Sequence, residues 1–151
     1  YQAALNMTGD GTRGKEAFTR VCSKCHALDG VGVAVGPNLG TVRNHPASEL
    51  LEDIILPSKS IEHGFETYVV ELATGDIVDG IMSAQTSATI TLRQEQGRET
   101  VIARQDIKSM RVSKVSMMPE GLENGLSPQD FADLIAFLRE LPAQGPPAGA
   151  R

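Results

Sequence analysis

Two cysteines stand three positions apart and a histidine follows directly: Cys22-Ser23-Lys24-Cys25-His26. They are the only two cysteines in the chain, so no disulfide framework can be built from them. Cys-x-x-Cys-His is the spacing that attaches a c-type haem. Two thiols so spaced at the end of a helix reach the two vinyl groups along one porphyrin edge. The next residue then projects its imidazole beneath the iron. Cys22 and Cys25 are therefore read as thioether donors and His26 as the proximal iron ligand. Two other chemistries use cysteines at this spacing. A zinc site needs a fourth ligand, and the adjacent Cys25 and His26 would be strained to reach one tetrahedral ion. A thioredoxin-like redox pair sits between a strand and a helix, and no strand is expected before Cys22.

The opposite face of the iron needs a ligand or a vacancy. Candidates are His45, His63 and the five methionines. A thioether is soft and neutral, favours ferrous iron and raises the potential. Met117-Met118-Pro119 forms a short loop before the last helix. Met118 is the preferred sixth ligand, because Pro119 removes a backbone donor and stiffens the turn. Met117 is the alternative, and otherwise fills a gap in the core. Met7, Met82 and Met110 read as packing or surface residues. His45 precedes Pro46 and His63 stands before a β-rich stretch, and an isolated loop histidine is usually solvated.

These residues need elements to hold them. A helix over Thr12–Val21, with Ala17, Phe18 and Val21 on one face, would deliver Cys22. A Gly-rich loop follows, through Gly36-Pro37-Asn38-Leu39-Gly40. A second helix runs over Ala47–Leu56 with Ser48 as N-cap, and Pro57 stops it. From Phe65 to Val112 the chain is rich in Val, Ile and Thr. Strands are expected at Glu66–Leu72, Ile77–Ser83, Thr89–Arg93, Glu99–Ala103 and Ile107–Val112. A final helix starts with Ser127 as N-cap, Pro128 at the first position and Asp130 close to a capping box. Phe131, Leu134, Ile135, Leu138 and Leu141 form its apolar stripe, and Pro142 ends it.

The fold class is therefore α+β: a mainly helical unit of 1–64 and 113–141, with an inserted small antiparallel sheet or barrel over 65–112 and a flexible tail over 142–151. Net charge is −5, which disfavours a nucleic-acid partner. No apolar run reaches the roughly 18 residues a membrane span needs. Aromatics are 4% of the chain with no Trp, so large core-fillers are scarce. A buried porphyrin would supply them: on the order of 400 Å² of apolar surface is worth roughly 10 kcal/mol. The start, Tyr1-Gln2-Ala3-Ala4-Leu5, has neither a basic stretch nor an apolar run and carries no compartment signal.

The chain resembles class I cytochromes c in Gly14-Lys15-Glu16-Ala17-Phe18, Cys22-Ser23-Lys24-Cys25-His26, Gly36-Pro37-Asn38-Leu39 and Met118-Pro119. The resemblance implies that Gly14 and Phe18 let the first helix cross closely over the last. It implies that the Pro37 carbonyl accepts a bond from the proximal histidine ring, which fixes its tautomer. Arg43 is a candidate for a haem propionate, although a solvated loop arginine is as ordinary a reading. The run Leu50 to Lys59, then Gly64 to Val70, then Ser116 to Leu122 is similar to a haem-binding domain of planctomycete, verrucomicrobial and acidobacterial secreted proteins. That likeness implies an exported, periplasmic setting. It also implies one covalent haem c and single-electron transfer with redox partners such as a dehydrogenase or another cytochrome. A haem sensor or peroxidase-like enzyme with a labile sixth ligand is the alternative. The β segment reads as a shield over one haem edge or as a docking platform.

Overall fold

The computed structural model describes residues 1–140, so Leu141, Pro142 and the expected tail over 142–151 lie outside it. Three α-helices, α1 (Gly11–Val21), α2 (Ala47–Ile55) and α3 (Pro128–Glu140), enclose one apolar core. Five strands, β1 (Thr67–Leu72), β2 (Ile77–Gln85), β3 (Thr89–Arg93), β4 (Glu99–Ala103) and β5 (Ile107–Val112), form one antiparallel sheet. The architecture is α+β. The expectation of a mainly helical chain is not confirmed, because the sheet is a large unit with a core of its own.

Each helix starts where its cap residue can act. The Asp10 carboxylate accepts from the Arg13 N–H (3.0 Å) and opens α1. At α3 the Asp130 N–H donates to Ser127 Oγ (3.1 Å) while the Ser127 N–H donates to Asp130 Oδ2 (2.8 Å). That reciprocity is the expected capping box. The expected Ser48 cap of α2 is not found. The helix begins at Ala47 after Pro46, whose carbonyl accepts from the N–H groups of Glu49 and Leu50. Proline's fixed φ sets up that first turn earlier, and Ser48 already lies inside it.

The dominant helix contact is α1 against α3. A Cβ at Gly14 would overlap the Asp133 carbonyl oxygen and stand 2.7 Å from the Phe137 Cβ. Only glycine permits this approach. One turn on, Phe18 is wholly buried and its ring lies 5.6 Å from that of Phe137, tilted by 53°. Beside the crossing, Asp133 is buried and receives Arg13 through two bonds, Nε at 2.7 Å and Nη2 at 2.9 Å. The Asp10 N–H (2.8 Å) and Gln129 Nε2 (2.9 Å) complete its shell.

Strand order in the sheet is β4-β3-β2-β1-β5. Register shifts at Glu71/Leu72 and Met82/Ala84 bend it. Val70, Ile90, Leu92 and Ile102 are buried on one face, with Tyr68, Leu72 and Met82 packed around them. Ile90 and Leu92, two positions apart on β3, show the alternation of a sheet with one buried face. The sheet does not close, since β4 and β5 are its two edges.

The Gly14→Ala variant is expected to lose about 1–3 kcal/mol by overpacking. That is against a helix-propensity gain of about 1 kcal/mol. A lower urea midpoint would show it. The Arg13 bonds hold the Asp133 carboxyl below its ordinary pKa. Its ionised form therefore contributes stability fully at neutral pH, and that contribution fades as the pH drops below about 5. Urea midpoints across that range should fall for the unaltered chain. They should fall less steeply for Asp133→Asn, which starts lower at pH 7.

Candidate functional site

Cys22 ends α1, its N–H still donating to the Phe18 carbonyl at 2.8 Å. The chain then makes one tight turn, in which the N–H groups of Cys25 (3.1 Å) and His26 (2.9 Å) donate to the Cys22 carbonyl. Helix and turn together fix the two sulfurs and the imidazole. The Gly-rich loop folds back over this turn. The Val33 N–H donates to the Ser23 carbonyl, and the N–H groups of Val35 and Gly36 donate to the Cys25 carbonyl. Two glycines make the return possible. Gly32 has φ +89° and a Cβ there would overlap the His26 carbonyl oxygen. A Cβ at Gly36 would stand 2.6 Å from the His26 ring.

The His26 ring is buried and its Nδ1 lies 3.0 Å from the Pro37 carbonyl oxygen. A carbonyl only accepts, so Nδ1 carries the proton in this contact. The neutral ring then keeps an unprotonated Nε2, the form that ligates metals. Burial pushes the imidazole pKa down, against the Pro37 bond, so the neutral form prevails. Burial, with Cys25 next to it, pushes the Cys22 thiol up to about 11. Cys25 is also raised, by burial first and then by the Glu95 carboxylate. Both thiols stay protonated at neutral pH, which is poor for zinc or disulfide exchange. Among the described residues no strand precedes Cys22, so the setting is not that of a redox dithiol.

An open cleft of about 520 Å³ lies beside the sheet, and Cys22, Cys25, His26 and Pro37 are not among its walls. Thr67 and Val69 from β1, Glu95 and Arg98 from the β3–β4 turn, and Met117 and Pro119 are among its walls. Thr67 Oγ1 is buried there without a hydrogen-bond partner. Met118 is half-buried with its N–H bound to Ser116 Oγ (3.1 Å), and it does not line the cleft. The structure thus groups Cys22, Cys25, His26 and Pro37, and places Met117 rather than Met118 on the cleft wall. His63 is fully exposed and lies 3.1 Å from Glu66, while His45 faces Glu49 at 3.4 Å. Arg43 lies in the 3-10 segment Leu39–Asn44.

The family profile for cytochrome c matches residues 11–96, more than half of the chain. The chain belongs to the cytochrome c family. Membership brings a covalently bound haem c and electron transfer as its chemistry, and redox proteins as its partners. The residues present suit that group: a neutral imidazole with a free nitrogen, two protonated thiols at one helix end, and Gly36 packed against the ring. The match covers Cys22, Cys25, His26 and Pro37 of this cytochrome and ends before Met118. No curated protein matches the chain.

Reading the sequence alone missed Gly36 as the residue that leaves room for the ring and Gly32 as the one that lets the loop close on the motif's backbone. Both stood out only as loop glycines. A turn at Gln96-Gly97-Arg98 is readable from the sequence, but not its contact with the cysteine segment, which joins residues far apart in the chain. The Gly36→Ala variant is expected to push the His26 ring off the Pro37 carbonyl and to cost about 1–3 kcal/mol. A moved imidazole signal in the NMR spectrum, with most amide signals in place, would show it.

Proposed function

We propose that this cytochrome carries one haem c, bonded through Cys22 and Cys25, with His26 and Met118 as its axial ligands. The observation that carries the reading is the His26 Nδ1–Pro37 contact of 3.0 Å, which leaves Nε2 for the iron. Such an outer partner fixes ring orientation and makes the imidazole a stronger donor. Bound there, the haem supplies an iron that gains and loses one electron. The protein's own work is to hold the ring, exclude water and keep the geometry alike in both oxidation states. Neither iron face then offers a substrate site, so the reading is an electron carrier rather than a catalyst. The acidic balance, −5 overall, favours a basic patch on the partner and rates that fall with salt.

The finer setting belongs to the same proposal. The helical unit of 1–64 and 113–141 is the cytochrome core and 65–112 an insertion, which the two separate apolar cores support. The resemblance to bacterial secreted haem-binding domains supports a periplasmic or exported carrier serving a dehydrogenase or another cytochrome. Among the described residues no helix is long and apolar enough to cross a membrane.

Met117, the residue before Met118, is the second reading for the sixth ligand. The ferric visible spectrum of the holoprotein decides. The weak sulfur-to-iron band at the red edge is expected in the unaltered chain and in Met117→Ala, and is expected to vanish in Met118→Ala. Loss in Met117→Ala alone would move the ligand by one residue. Carbon monoxide binding to the unaltered ferrous protein at neutral pH would overturn the carrier reading in favour of a labile sixth site.

A further inference from the structure

The β3–β4 turn touches the cysteine motif itself. The Gln96 N–H donates at 3.0 Å to the carbonyl of Lys24, which stands between the two cysteines. Arg93 Nη1 donates to the Ala34 carbonyl at 3.2 Å. Gly97 lies so close to Val33 that a Cβ there would stand 2.7 Å from its Cγ1. The turn therefore grips both the motif and the loop that folds back over it.

It is also built to hold its shape. The Gln94 N–H donates to the Arg98 carbonyl at 2.8 Å. The Gln94 side chain donates to the Asp79 carbonyl (2.9 Å) and accepts from Arg98 Nε and Thr100 Oγ1 (both 3.2 Å). Gln96 takes a left-handed φ of 59°, an uncommon conformation for a residue with a Cβ. Glu95 sits in the middle of this frame, on the wall of the cleft. It forms no ion pair among the described residues, while Arg98 is engaged by Gln94. The neighbour of Glu95, Gln96, is bonded to the Lys24 carbonyl, one residue before Cys25.

We propose that the Gln94–Arg98 turn covers the Cys25 side of the haem site and that the Glu95 carboxylate lowers the reduction potential there. This rests on the haem attachment proposed above. A fixed negative charge favours the more positive ferric state over the ferrous one. Glu95 is a positioning residue for charge and touches no reacting atom. Because it is exposed, solvent and salt weaken its effect.

The test is an equilibrium redox titration of holoprotein against a reference couple at low ionic strength. Glu95→Gln is expected to raise the ferrous-to-ferric ratio at a fixed solution potential by about threefold to tenfold. Glu95→Lys should move it further in the same direction, and both shifts should shrink at high salt. Asp106→Asn removes the same charge beyond the far end of β4 and is expected to shift the ratio little. Visible and circular-dichroism spectra should match in all variants, which excludes a general disturbance. An unmoved ratio in Glu95→Gln and Glu95→Lys, with haem still attached, would overturn the inference and leave the attachment standing. Equal shifts from Glu95→Gln and Asp106→Asn would also overturn it, since net charge would then suffice. Haem lost from the unaltered chain on a denaturing gel would bring down the attachment and the inference together.

Discussion

His26 has one ring nitrogen committed to a backbone carbonyl and the other left over, and the polypeptide alone imposes that division. The Pro37 carbonyl can receive a proton but not give one, so the ring is locked in a single tautomer. Everything around the motif serves this contact. The carbonyls of Ser23 and Cys25 tie down the returning loop, and Gly32 and Gly36 leave out the side chains that would keep it away. Helix α1 in turn fixes where the motif starts.

The helical core depends on a second close approach, between the two ends of the described chain. Gly14 lets the backbones of α1 and α3 nearly touch, and the Phe18–Phe137 pair fills the space beside them. A buried carboxylate at the crossing is unusual in an apolar core. Asp133 is tolerable because Arg13, Gln129 and the Asp10 N–H occupy both its oxygens. The sheet has a different basis of stability. It packs on its own Val70, Ile90 and Leu92, and its grip on the cysteine motif and the loop over it runs through one turn.

Local signals in the sequence carried most of the elements. Three strands, β3, β4 and β5, coincide with their expected limits, because alternation and turn residues are short-range features. Ser127 and Asp130 announced α3 for the same reason. Pro46 taking the cap of α2 was harder to see, since a serine two residues on looked the better side chain. Cys22, Cys25 and His26 were legible because their spacing is the chemistry. Arg13 with Asp133, and Gln96 with Lys24, were not, because nothing in either residue's neighbourhood names a partner about 120 or 70 positions away. Met118 was preferred to Met117 for the proline beside it, which is a local cue.

The clasp of α1 on α3 turns the chain between them into a single closed loop. Closure entropy grows only with the logarithm of loop length. Lengthening that loop from about 60 to about 106 residues, as the strand segment does, adds only about 0.5 kcal/mol. The length of the strand segment is therefore a small term in closing the clasp of α1 on α3.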